Sequence, residues 1–228
     1  MARVWRFSEE KTALYYSGTE TGQHRNGVGI IVRREMQQSV INFISYNDKI
    51  MLLQIKAHPV NVDLLQIYAP TSDHSDEEVE DFYADLENLT RNLKKHEIDI
   101  VMDDFNAKVG KRSVPGVAGD FGLGQRKERG DRLIEYCQEH DLIITNTIFK
   151  LHPRRLYTWT APGDREGQVI RNQLDYILTN RRFRNATYGV KTYPSADAAT
   201  DHNILIANVK IKLRSQKKTI QTTNTGRS

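Results

Sequence analysis

The 228-residue sequence predicts a single α/β domain built on stacked sheets, and three observations lead there. Short β-type runs recur along the whole chain, one long amphipathic helix and a shorter one interrupt them, and no Pro- or Ser-rich linker divides the chain. At 26.3 kDa, with 38% hydrophobic and 27% charged residues, the composition is that of a globular protein with a real core. It excludes wholesale disorder, collagen-like repeats and coiled coil.

Residues 26–68 read as four consecutive strands, at 27–32, 40–44, 49–55 and 62–68, in the pattern of a β meander. A helix follows: Val79, Phe82, Tyr83, Leu86, Leu89 and Leu93 recur at helical spacing, behind a capping box formed by Ser75 and Glu78. Residues 98–102 make a short buried strand. The Gly-rich stretch at 110–124 is too long for an ordinary connection and therefore reads as functional. A second helix at about 131–140 packs Leu133, Ile134 and Cys137. Further strands are expected at 142–145, 156–160, 173–178, 186–192 and 204–213. Residues 1–213 are expected to form the domain, and residues 214–228, with one large apolar residue among small polar ones, a disordered basic tail.

The formal net charge of +4 lies entirely in that tail, because residues 1–213 hold 29 bases and 29 acids. Within the body the charges segregate. Residues 71–90 hold eight acids and no base, whereas residues 108–184 hold fifteen bases and nine acids. Bases grouped in this way can neutralise phosphates locally, since such contacts act within a Debye length of about 8 Å. The one cysteine, Cys137, excludes a disulfide framework and a Cys-rich zinc site. No signal-peptide core or membrane-length apolar run is present, so an intracellular, nuclear location without membrane association is expected.

Three clusters carry chemistry. Asp103-Asp104-Phe105-Asn106 follows directly on an apolar strand, where α/β sheets tend to build sites. Asp201-His202 precedes the last strand. Asp175 is a charge inside the apolar run Gln173-Leu174-Asp175-Tyr176-Ile177-Leu178 and needs a partner, for which His202 is the candidate. With Tyr68 they suggest a hydrolytic centre using oxygen ligands, hence Mg²⁺ or Mn²⁺ rather than zinc. No P-loop, nucleophile elbow or catalytic-cysteine context is present.

The ordered set Ile67-Tyr68-Ala69-Pro70-Thr71, Asp104-Phe105-Asn106-Ala107-Lys108-Val109-Gly110, Leu174-Asp175-Tyr176-Ile177-Leu178 and Thr200-Asp201-His202 resembles the endonuclease/exonuclease/phosphatase superfamily. Within it, Arg25-Asn26-Gly27-Val28, Phe121-Gly122-Leu123-Gly124, Arg154-Arg155-Leu156-Tyr157-Thr158-Trp159-Thr160 and Arg171-Asn172-Gln173 are similar to endonuclease domains of RTE/BovB-type retrotransposons. The resemblance implies a four-layered α/β sandwich and Mg²⁺-assisted attack of water on a DNA phosphodiester. By it, Asp104 orients the water and belongs with Asp201 to the metal region, Asn106 holds a scissile oxygen, and Tyr68 contacts the phosphate. His202, charged by Asp175, stabilises the developing negative charge. Arg154, Arg155, Trp159 and Asn172 are the implied DNA contacts. The family's Asn-bearing first strand and the strand ending in a metal-binding Glu would fall upstream of Met1, and neither Glu9 nor Glu10 takes the Glu position. An N-terminally truncated form of the fold, with an exposed sheet edge and weakened cation binding, is therefore expected. Asp103 stands where the family has Gly. The leading expectation is a DNA-nicking endonuclease. The alternatives are a domesticated, non-catalytic DNA- or protein-binding domain and a phosphatase acting on small molecules.

Overall fold

The structure is a computed structural model that describes residues 3–5, 12–19, 27–162, 170–194 and 200–211. Along the chain run β1 (Arg3–Trp5), β2 (Thr12–Gly18), β3 (Gly27–Arg33), the short α1 (Arg34–Gln37), β4 (Val40–Ser45), β5 (Ile50–Ile55), β6 (Val62–Tyr68), α2 (Asp76–Thr90), β7 (Ile98–Asp104), α3 (Glu128–Glu139), β8 (Leu142–Ile144), β9 (Trp159–Thr160), β10 (Arg171–Asn172), β11 (Asp175–Asn180), β12 (Thr187–Tyr193) and β13 (Ile204–Val209).

Six strands form the central sheet in the order β4-β5-β6-β7-β11-β8, and β6 and β7 are its parallel pair. A parallel pair needs a crossover, which α2 supplies. That helix forms because its apolar residues recur at helical spacing and its first turn is closed by a capping box. The Ser75 side chain accepts from the Glu78 amide at 3.3 Å, and Glu78 accepts from the Ser75 amide at 2.8 Å. Val79, Phe82, Tyr83, Leu86 and Leu89 are buried with Leu133, Ile134 and Cys137 of α3 on one face of the central sheet, over Ile50, Leu52, Leu65, Ile67 and Val101. The period-2 alternation of the strands places Met51, Leu53, Ile98, Ile100 and Ile177 on the other face. There the β1-β2-β3 sheet covers one side and the β12-β13 pair the other.

The α/β sandwich expected from the sequence is thus present, with the helices on one face of the central sheet and the two smaller sheets side by side on the other. The meander is shorter than expected: β4, β5 and β6 follow one another, whereas β3 pairs with β2 in a separate sheet. Residues 156–160 contribute only the two residues of β9 to a strand, and α3 starts three residues earlier than expected. Among the described residues β3 and β13 each have one strand partner, and Ile31, Ile204 and Ile206 on them are exposed. Arg25, Asn26, Glu9, Glu10 and the basic tail lie outside the described residues.

Replacing Ser75 with Ala removes one half of the capping box and should lower stability by about 1 kcal/mol, read as a reduced urea midpoint with an unchanged m-value.

Candidate active site

β7 is bonded on both sides, to β6 in parallel and to β11 antiparallel, and its register sets the site. Tyr68 lies opposite Asp104 across one seam, and Asp175 lies opposite Asp104 across the other. Asp104 is buried, and its Oδ1 accepts from the backbone amide of Asn106 at 2.8 Å. This ties the strand end into a turn in which Asn106 takes a positive φ of 48°. The Asn106 Nδ2 donates one hydrogen to the Ala69 carbonyl at 2.9 Å, which fixes the amide and leaves its second N–H free.

Asp175 is held by its own buried supports. Thr158, fully buried, accepts through Oγ1 from the amides of Leu174 and Asp175 at 2.9 and 3.0 Å. Asn146 brackets the same strand, donating to the Asp175 carbonyl and accepting from the Ile177 amide. The fixed carboxylate meets the Nδ1 of His202 at 3.0 and 3.2 Å, which turns Nε2 towards Asp104 Oδ2 at 3.8 Å. Asp175 and His202 are the partners expected from the sequence. The hydrogen bond to Asp175, reinforced by the charges of Asp175 and Asp104 against the opposing effect of burial, pushes His202 up to about 9. Burial, then the Asp175 charge, pushes Asp104 up to about 6. Burial also raises the Tyr68 hydroxyl, with Asp104 adding to it, so the phenol stays protonated.

Tyr68, Asp104, Asn106, Trp159, Asn172, Asp201 and His202 line one cleft of about 800 Å³. Trp159 and Asn172 are cross-strand partners on the β9–β10 ribbon. The Trp159 Nε1 donates to Asp201 Oδ2 at 2.7 Å, so the indole orients a carboxylate. Arg154 and Arg155 stand apart from this cleft. They line a separate cavity of about 390 Å³ with Tyr157, Arg171 and Pro194, where Arg171 stacks on Tyr157 and Arg155 on Tyr193. None of the three arginines has a carboxylate within ion-pair distance among the described residues.

Sequence reasoning gave no role to Lys127 and Arg129, which also line the cleft. The available signal was their position: bases at the start of α3 oppose the helix dipole. Gly130 lets that helix end approach the site, since a Cβ there would lie 2.0 Å from the Lys108 carbonyl oxygen. The oxygen donors that could hold a hard cation are Asp104 and Asp201. Among the described residues no group of three or more His, Cys, Asp and Glu is arranged to hold a metal ion. An ion held through these two carboxylates would take the rest of its shell from water and substrate oxygens, as Mg²⁺ commonly does.

Asp103 adopts φ 113°, a region that favours glycine. Its carboxyl accepts from the Gln66 side chain, and burial, with the charges of Asp175 and Asp104, pushes it up to about 7.

Fold and cluster together define an α/β sandwich protein with an acid–imidazole centre at the ends of its sheet strands. The model for the Endonuclease/Exonuclease/phosphatase family matches residues 3–202, and the chain belongs to that family, whose members include nucleases and phosphatases. It is 40% identical over 206 residues to Craniofacial development protein 2 of Bos taurus, covering 90% of this chain and 34% of that protein. The same protein of Tragulus javanicus is also 40% identical, with 35% of its length covered. The chain thus spans about a third of the curated relatives it matches. Among solved structures, the endonuclease domain of TRAS1, a telomere-specific non-LTR retrotransposon, superposes with a TM-score of 0.62 at 18% identity, over 88% of this chain and 81% of that one. The 3′ phosphatase NExo from Neisseria, bound to product DNA hairpin, gives 0.59 at 15% identity, over 88% and 80%.

Two outcomes test this geometry. The His202 ring, followed by NMR, should titrate near pH 9, and Asp175→Asn should bring it back towards 6.5. Because the shift is upward, the pair's contribution to stability is complete below about pH 6.5 and is lost as pH rises through about 9. Asp103→Gly should raise stability by about 1 kcal/mol in urea unfolding, by relieving backbone strain.

Proposed function

We propose that this chain is a divalent-metal-dependent phosphodiesterase that nicks DNA. The observation that carries the reading is the Asp175–His202–Asp104 arrangement: an imidazole charged at neutral pH, facing a buried carboxylate across a cleft that also presents a fixed amide, a phenol and several cations.

In this reading a phosphodiester lies with a non-bridging oxygen towards the His202 Nε2–H, which offsets the negative charge that grows there as the attacking bond forms. The free N–H of Asn106 and the Tyr68 hydroxyl hold further phosphoryl oxygens. Asp104 orients the attacking water and takes up its proton. The new phosphorus–oxygen bond forms as the bond to the leaving sugar oxygen breaks, and that oxygen takes a proton from solvent. Asp104 and Asp201 would hold Mg²⁺, or Mn²⁺ in its place. When bound, such an ion polarises a phosphoryl oxygen and neutralises its charge. Lys108 and Lys127 add fixed positive charge at the cleft wall, and neither has an ion-pair partner among the described residues. Trp159 and Asn172 would contact DNA at the cleft, and Arg154 and Arg155 would do so on the far side of the ribbon. A DNA substrate would put the working protein in the nucleus.

The 40% identity to Craniofacial development protein 2 and the extra carboxylate of Asp103 favour a second reading, a domesticated DNA- or protein-binding domain without catalysis.

Supercoiled-plasmid nicking distinguishes the two. Purified protein should nick in Mg²⁺, not in EDTA. Asp104→Asn and His202→Ala should each reduce the rate at least a hundredfold while the circular-dichroism spectrum is unchanged. Salt-sensitive retention of plasmid by a folded protein that never nicks would establish the binding reading instead.

A further inference from the structure

The β6–β7 seam that carries Tyr68 and Asp104 at one end holds a second pair of acids near the other. Asp63 and Asp99 are direct register partners across that seam, on its helix-facing side. Asp63 is fully buried. Its Oδ1 accepts from Gln54 Nε2 at 2.7 Å, while its Oδ2 has no hydrogen-bond partner. Asp99 mirrors it: Oδ2 accepts from Asn180 Nδ2 at 2.5 Å, and Oδ1 is buried without a partner.

Two orphaned carboxylate oxygens on neighbouring residues cost a desolvation penalty each and, if both are ionised, repel one another. Among the described residues no cation is ion-paired with either acid, and Lys94, whose charge acts only weakly on Asp63, is engaged elsewhere. Lys94 pairs with Glu97 at 3.4 Å, and Glu97 is itself buried and adds a third acid beside the pair. On α2, Arg91 is paired with Glu87. The end of α3 contributes Tyr136, Glu139 and His140 to the cavity that Asp99 lines. Lys95, Asp141 and Arg182 complete its charged rim, and Asp141 is paired with Arg181.

We propose that Asp63 and Asp99 share one proton, forming a carboxyl–carboxylate hydrogen bond that locks β6 against β7. The proton satisfies both orphaned oxygens at once and removes one of the two charges. Burial raises both acids, and the neighbouring Asp63 adds to the rise of Asp99, which reaches about 7. The sign follows: the unfolded acids titrate near about 4, so the stabilisation is complete below that value and is lost as pH rises through about 7. Loss of the proton loosens the same strand pair whose register sets Tyr68 beside Asp104.

The test is urea unfolding of the full chain from pH 5 to 8, comparing wild type with Asp99→Asn and Asp63→Asn. An asparagine amide donates the hydrogen bond without a titrating proton. The folding constant of wild type relative to either variant should therefore fall, by up to about tenfold per pH unit, and level off above pH 7. Asp103, Asp104 and His202 are common to all three proteins and cancel in the comparison. Parallel profiles would overturn the proposal. So would a wild-type urea midpoint raised by Mg²⁺ that neither variant shares, which would make the pair a cation site. Should the variants fail to fold, infrared spectroscopy of the chain carrying Asp103→Gly and Asp104→Asn, which removes the two other carboxyls raised towards neutral pH, remains decisive: a buried protonated-carboxyl stretch present at pH 6 and lost by pH 8.5 supports the shared proton, and its absence at pH 6 excludes it.

Discussion

The register of β7 against its two neighbours is the constraint on which the site rests. Because β7 is paired in parallel with β6 and antiparallel with β11, one strand end fixes Tyr68, Asp104 and Asp175 in a row. A one-residue slip in either seam would turn one of these side chains to the opposite face of the sheet. The parallel seam is demanding, since it is closed only after the whole α2 crossover has been ordered. Its register is held by the burial of Leu65, Ile67 and Val101 beneath α2 and α3.

Several of the site residues are held in place by a neighbour. Thr158 and Asn146 hold the strand of Asp175, Asp175 orients His202, Ala69 fixes Asn106, and Trp159 orients Asp201. These supports are buried or half-buried polar groups with nearly every bond satisfied, and such networks keep a site rigid. The electrostatics are correspondingly unbalanced at the centre. Three carboxylates crowd one imidazolium, so burial and mutual repulsion raise Asp103 and Asp104 together. A bound cation would relieve that imbalance.

Much of this was legible in the sequence, for identifiable reasons. The apolar run ending in Asp103-Asp104 announced a buried strand with acids at its carboxyl end, the spacing from Val79 to Leu89 announced α2, which ends at Thr90, short of the expected Leu93, and the isolated Asp175 demanded a partner that proved to be His202. Periodicity reveals that a strand exists but not which strand it pairs with, so β3 was assigned to the meander while it belongs with β2. The hydroxyl of Thr158 and the amide of Asn146 had no visible signal, because a buried polar residue in an otherwise ordinary segment looks like any surface one. Lys127 joins Lys108 at the cleft through a tertiary approach that only Gly130 permits.

The bond between Trp159 and Asp201 also gives the protein a built-in optical probe. The chain has two tryptophans, Trp5 and Trp159, and the indole of the second donates directly to a carboxylate at the cleft. Any ligand that draws Asp201 away changes the polarity at that indole nitrogen. In a chain carrying Trp5→Phe, the remaining emission therefore reports occupancy of the cleft, without a label and independently of turnover.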